Sequence, residues 1–343
     1  ELTRLVYASL IDFLKEEGVV GRGAFDERIC AGATFEDIDK EKIRWFLHAA
    51  KEKDSKFPLS LDTSALDVLI HFNLIRNGKL TNAAILLFGD NPHKFFLQAE
   101  VKCVQFLGTE VEKPFPSYKV YSSNLFEQVD RAVAFVLDIL KQAVIQQEHT
   151  AQFKRPFEIP IFAIQEAITN AVVHRNYNVT SGVQVMVFTD RVEAWNSGSL
   201  PPGLSVDDLK KPHTSFPANQ LLANVFFYAN YIQRLGSGTV EMLKQCRTQG
   251  VPEPQFVLIR NVEFRTILSR DVFTAEVLGR LDLNERQIAA VKLIKERGVI
   301  SLSDLQRIFV EMTRKTLYRD LQTLVDKHIL KPRGERKGRR YSF

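Results

Sequence analysis

Glu166, Asn170 and His174 follow one another at four-residue steps within the run E-A-I-T-N-A-V-V-H-R-N-Y, residues 166–177. Pro160 suits the first turn of a helix, where its missing amide would be unbonded anyway, and no Gly or Pro interrupts the next fifteen residues. Each four-residue step turns a helix by about 40°, so one face carries a carboxylate, an amide and an imidazole, groups able to exchange protons and hold a polar ligand. Ile161, Phe162, Ile164, Ile168, Val172 and Val173 are left to anchor the helix in a core. The polar stripe is thereby flanked by buried surface, where a site would sit, although Glu, Asn and His can equally form the wet face of an ordinary helix.

The residues downstream add to the stripe. Residues 183–188 and 192–195 are two short apolar runs around Thr189-Asp190-Arg191, the pattern of a β-hairpin. The second run ends in N-S-G-S-L-P-P-G, residues 196–203, where Asn196, Gly198 and Gly203 would let a ligand approach the backbone closely. The polar stretch 205–216 could cover such a ligand. A helix is predicted over 219–229, and Arg234-Leu235-Gly236-Ser237-Gly238 precedes another helical pattern over 239–246. Glycines opening a helix leave its unpaired amides facing outward, a ready site for phosphate.

The 343 residues are long enough for two or three domains, and 45% hydrophobic with 25% charged residues excludes a disordered chain. Cys30, Cys103 and Cys246, odd in number and widely spaced, fit neither a disulfide framework nor a zinc cluster, which points to a reducing, cytoplasmic setting. No apolar run reaches membrane-spanning length and no signal peptide is visible. The net charge of +5 lies wholly in residues 329–343, and the rest of the chain sums to zero.

Before the key helix, the pattern predicts helices over 39–50 and 64–75, strands over 83–88 and 99–107, and a long amphipathic helix over 122–147. After it, Asn284 with Gln287 forms a capping box for a helix stopping at Gly298, residues 301–309 form a second helix, and Thr313 caps a third. On that third helix Leu317, Leu321, Leu324 and Val325 face inward, while Arg314, Lys315, Tyr318, Arg319 and Gln322 face out. A basic hairpin comes next, with Arg333, Arg336, Lys337, Arg339 and Arg340. Helix, helix, recognition helix and wing make a winged helix-turn-helix, whose third helix suits the major groove and whose wing suits phosphates.

The order of these pieces resembles the Bergerat-fold (GHKL-type) ATPases. It is most similar to a prokaryotic branch of transcriptional regulators, helicase relatives by name only, in which a Schlafen-type (AlbA-like) domain precedes the ATPase-like one. The similarity extends through G-A-T-F-E-D-I-D (32–39), L-T-N-A-A-I-L-L-F-G (80–89), N-L-F-E-Q (124–128) and P-P-G-L (201–204). It implies an α+β fold: a tail of a Schlafen-type domain over 1–24, an α/β segment over 25–150, a Bergerat-type α/β sandwich over 151–275, and the winged helix over 280–343. It implies ATP and Mg²⁺ as ligands. Asn170 matches the asparagine that coordinates magnesium, and Glu166 the carboxylate that deprotonates the attacking water in hydrolytic members. His174 matches a polar position near phosphates, Gly236, Ser237 and Gly238 the second glycine box, and Arg234 could neutralise phosphate. Asn196 stands where an aspartate usually reads adenine, which opens the base preference. No G-x-x-x-x-G-K-[ST] loop supports a helicase motor. The expected function is a nucleotide-responsive, homodimeric DNA-binding regulator. The alternatives are a Mg-dependent ATPase in nucleic-acid metabolism or defence, and a degenerate scaffold that binds no nucleotide.

Overall fold

The computed structural model describes residues 24–140, 145–146, 153–154 and 157–343, apart from 202, 215, 234–235, 250, 271–282, 328, 335–338 and 343. The expected tail over 1–23 and three of the expected contact residues, Arg234, Arg336 and Lys337, therefore lie outside the described residues.

In chain order the elements are α1 (Lys40–Lys53), α2 (Ala65–His71), β1 (Ile75–Arg76), β2 (Lys79–Leu80), α3 (Asn82–Phe88), β3 (Val101–Gln105), β4 (Ser117–Tyr121) and α4 (Leu125–Ile139). Then come β5 (Ile145–Gln146), β6 (Phe153–Lys154), α5 (Ile161–Val173), β7 (Val183–Val187), β8 (Arg191–Ser197), α6 (Gln220–Tyr228), α7 (Gly238–Gln249), β9 (Gln255–Ile259) and β10 (Glu263–Ser269). Last are α8 (Glu285–Arg297), β11 (Ile300–Ser301), α9 (Leu302–Ile308), α10 (Arg314–Asp326), β12 (Lys331–Arg333) and β13 (Arg340–Ser342).

A mixed six-stranded sheet, ordered β4-β3-β7-β8-β10-β9, is the frame of the larger unit. Only β3 and β7 run parallel, and the other neighbours are antiparallel. Period-two alternation sorts its side chains. Val101, Cys103, Val183, Val185, Val187, Val192 and Ala194 face the helices and join the main core, whereas Val104, Met186 and Trp195 share the opposite face with Phe106, Phe115 and Phe188. The sheet takes β3 and β4 from one side of residue 150 and β7 to β10 from the other, so the 25–150 segment does more than pack on the ATPase-like part: it completes its sheet.

Three expected elements differ. Residues 83–88, expected as a strand, form α3, capped by Thr81, whose hydroxyl accepts from the Ala84 amide at 3.3 Å. Every residue of α3 is buried, so no polar face marks a 3.6-residue period, and the run of apolar residues reads like a core strand. The helix expected over 64–75 stops at His71, because Asn73 turns left-handed (φ 57°) and Ile75 pairs with Leu80. Of the helix expected over 122–147 the described residues form α4, capped by Asn124 and ended at Leu140, and Ile145 and Gln146 pair with Lys154 and Phe153.

The 24–100 region is tied to the rest through α6. Asp26, fully buried, accepts from the Leu221 and Leu222 amides (2.7 and 3.2 Å) at the N-terminus of α6, where a carboxylate complements the helix dipole. Lys53 donates to the Phe227 carbonyl at the opposite end. Replacing Asp26 by alanine strands two buried amides, so urea unfolding is expected to show a loss of about 2–3 kcal/mol.

The C-terminal unit has its own core, built on Val291, Ile294, Leu305, Leu317, Leu321, Leu324 and Tyr341. Three helices pack with a three-stranded antiparallel sheet, β11-β13-β12. The Asn284–Gln287 capping box opens α8, Gly298 (φ 77°) closes it, and Thr313 caps α10. Buried Asp320 on α10 takes Asn284 Nδ2 at 2.9 Å and Arg286 Nε at 2.6 Å, fastening α10 to the start of α8.

Candidate functional site

Glu166 and Asn170 lie on α5 as expected, while His174 is the residue that ends it, its amide still bonded to the Asn170 carbonyl (2.9 Å). A cleft of about 360 Å³ opens beside them. Its walls include Glu166, Asn170 and His174 from α5, Asn196 and Gly198 from the end of β8, and Gly236 and Gly238 from the start of α7. Residues some seventy positions apart in sequence thus converge on one space. Gly203 and Ser237 are not in its wall: Gly203 (φ 87°) makes a turn after Pro201, which is, and Ser237 faces a neighbouring cavity.

Glu166 is only 6% exposed, and burial pushes its carboxyl above the usual carboxylate range, a shift opposed by the hydrogen bond from Asn170. That bond, Asn170 Nδ2 to Glu166 Oε1 at 2.9 Å, commits the amide nitrogen and leaves Asn170 Oδ1 as the atom able to hold a hard cation. A carboxylate made more basic by burial and held in place by Asn170 is suited to take a proton from water.

The two glycines are needed for different reasons. Gly236 is left-handed (φ 59°), and a Cβ there would lie 1.9 Å from the His213 carbonyl oxygen. At Gly238 a Cβ would lie 1.8 Å from Glu166 Oε1. The first turn of α7 is thereby pressed against the carboxylate, and its Gly238 and Thr239 line the cleft. The 205–216 segment, expected as a cover, contains a 3₁₀ helix (Val206–Lys210), buries Leu209 in the cleft wall and meets the glycine loop through His213.

Asn196 is buried, and its Nδ2 leans on the Ser197 carbonyl at 3.3 Å, leaving its oxygen to accept from a ligand. Thr266 and Phe264, also in the wall, are absent from the expected site. β9 and β10 are not among the expected elements, although the alternation of Phe264, Thr266 and Leu268 is the signal that would reveal them. Phe264 pairs with Asn196 across the strands, which places Thr266 on the same face.

His174 is half-buried, and burial, with His213 nearby, pushes its imidazole down to about 4. It is neutral at pH 7. A folded-state value below the unfolded one makes this contribution to stability complete above pH 6.5 and lost as pH falls from 6.5 towards about 4. A His174→Gln variant is therefore expected to flatten the thermal stability profile between those pH values.

The described members of the expected DNA-facing set lie on α10 and on or beside β12 and β13 of the C-terminal unit. Arg314, Lys315, Tyr318 and Arg319 on α10 are exposed, as are Thr313, Arg333 and Arg340. Arg339 reaches back to the Tyr318 hydroxyl at 3.4 Å, and Gln322 is bonded to Asp326 at 3.0 Å. Among the described residues no helix is long and apolar enough to cross a membrane.

Comparisons with known proteins agree with this geometry in part. Among curated proteins none matches. In fold the chain is similar to the crystal structure of the DIP2311 protein from Corynebacterium diphtheriae, with TM-score 0.57 and 18% identity over 92% of this chain and 62% of that one. This chain thus spans about three-fifths of that protein's length. Residues 20–99 match a domain of unknown function, DUF8451. Residues 180–268 match the HATPase_c_4 model, described as "Putative ATP-dependent DNA helicase recG C-terminal". That match begins after α5, so it takes in Asn196, Gly236 and Gly238 but not Glu166 or Asn170. The chain contains an ATPase-like domain, to which α5 and its polar residues contribute one wall of the cleft.

Proposed function

We propose that the protein is a nucleotide-responsive DNA-binding regulator in which the cleft takes a magnesium-bound nucleoside triphosphate. The observation that carries this reading is the meeting of Glu166 and Asn170 with Gly236 and Gly238 in a single cleft of the ATPase-like domain. The residues fit the ligand: glycines where a Cβ would fill the space, the N-terminus of α7 at Gly238 and Thr239 in the cleft wall, and an Asn170 amide oxygen that its Nδ2 bond to Glu166 does not use. When bound, the ion supplies charge neutralisation for the phosphates. Asn170 holds it, the α7 amides receive the phosphates, and Asn196 with Thr266 meets the base. Adenine, with its amino group, suits the Asn196 acceptor.

The C-terminal unit, read as a winged helix, places α10 in the major groove and β12–β13 along the backbone. In a homodimer two such units would meet two half-sites. Nucleotide changes DNA affinity only if it binds one arrangement of the 205–216 segment better than another. The reading is tested by DNA binding titrated with and without triphosphate and Mg²⁺: a shift in affinity is expected, and its absence, despite nucleotide binding, removes the regulatory link. Arg333→Ala and Arg340→Ala should each lower the slope of log affinity against log salt by about 1, while leaving sequence preference unchanged.

A second reading, that the site hydrolyses its ligand, is favoured by one feature. Glu166 is buried and aligned by Asn170, an arrangement that a pure sensor does not need.

A further inference from the structure

Glu166 faces two spaces. Besides the cleft it lines a second cavity, of about 580 Å³, together with Lys53, Phe162, Asn230, Tyr231 and Ser237. The two spaces share Glu166, Ile232 and Gln233, so Glu166 belongs to the wall of both. Asn230, exposed and left-handed (φ 67°) just after α6, belongs to the second cavity and not to the cleft.

We propose that this second cavity is a port through which water reaches Glu166 and orthophosphate leaves, separate from the mouth that admits nucleotide. The inference rests on the hydrolytic reading of the same site. Hydrolysis forms a bond from the water oxygen to the terminal phosphorus and breaks the bond to the bridging oxygen. The bridging oxygen keeps the electron pair, and the water proton passes to the Glu166 carboxylate. Such a reaction needs water on the carboxylate side of the phosphate and a way for the proton and product to escape while the cleft is filled. On the cleft side that route is restricted, because the 205–216 segment reaches across to Gly236 through the His213 carbonyl. The second cavity is lined for the task. Ser237 offers a hydroxyl, bonded to Gln233 at 2.8 Å, and the Lys53 ammonium sits 3.5 Å over the Phe227 ring at the wall, a positive group on the path of an anionic product.

The native thiols allow a selective test. Cys30, Cys103 and Cys246 are buried, and burial pushes all three up, to about 11, about 12 and about 12, so a new surface cysteine reacts first. Asn230→Cys is coupled to a bulky maleimide, and Phe162→Cys serves as a second position in the same cavity. Labelled and unlabelled samples of one variant are compared, which separates plugging from folding. Two quantities are read: affinity for a non-hydrolysable triphosphate with Mg²⁺, and the rate of orthophosphate release. The port predicts that labelling leaves affinity unchanged, slows release by about tenfold or more, and proceeds equally fast with analogue bound. Unchanged release overturns it, as does loss of analogue binding on labelling, which would make the two spaces one site. Binding of analogue without any hydrolysis by the unlabelled protein also overturns the port but leaves the regulator standing. Failure to bind analogue removes the nucleotide reading itself.

Discussion

A Gly236→Ala variant is expected to lose triphosphate binding by about a hundredfold or more, close to 3 kcal/mol. Two separate penalties act at this position. The left-handed backbone (φ 59°) costs a residue with a Cβ about 1–2 kcal/mol. The added carbon would also lie 1.9 Å from the His213 carbonyl oxygen, and a backbone atom cannot step aside as a side-chain tip can. The loop and the 205–216 segment must therefore separate, which moves the first turn of α7 away from the cleft. Gly238→Ala is the informative contrast. Its Cβ would meet the Glu166 carboxylate, which can swing away at the loss of its bond from Asn170. Calorimetry should show weak or absent binding for Gly236→Ala and retained binding for Gly238→Ala. Equal affinity in Gly236→Ala and the parent protein would mean that ligand is held elsewhere.

The second large effect concerns turnover. If the protein hydrolyses its ligand, Glu166→Gln should slow phosphate release by about 10²–10⁴-fold while changing affinity for a non-hydrolysable analogue little. The glutamine keeps the shape of the side chain and can still meet Asn170, so binding and catalysis separate cleanly. Equal release rates in the variant and the parent protein would remove the enzyme reading and leave the sensor.

The site is more legible in the sequence than the scaffold that builds it. Glu166 and Asn170 can be placed because a helix turns four-residue spacing into one face, and Gly236 and Gly238 because only backbone without a Cβ allows so close an approach. Local rules of this kind act within a few residues. The strand order β4-β3-β7-β8-β10-β9 obeys no local rule, and neither does Asp26 capping a helix 195 residues away. α3 shows the opposite limit: its residues are buried on every side, so the periodicity that separates helix from strand is absent. Thr266 is hidden for another reason, since its position beside Asn196 depends on the register of β8 with β10. In the C-terminal unit the caps at Asn284, Gly298 and Thr313 stand where the sequence puts them, because each depends on one residue and its near neighbours.

The most direct test is a crystal structure of the protein with a non-hydrolysable ATP analogue and Mg²⁺. The account predicts phosphate density between α5 and the Gly236–Gly238 turn, with the metal ion against Asn170 Oδ1 and the base beside Asn196 and Thr266. Analogue bound away from Asn170, or a cleft still without ligand at concentrations far above those needed for saturation, would contradict it.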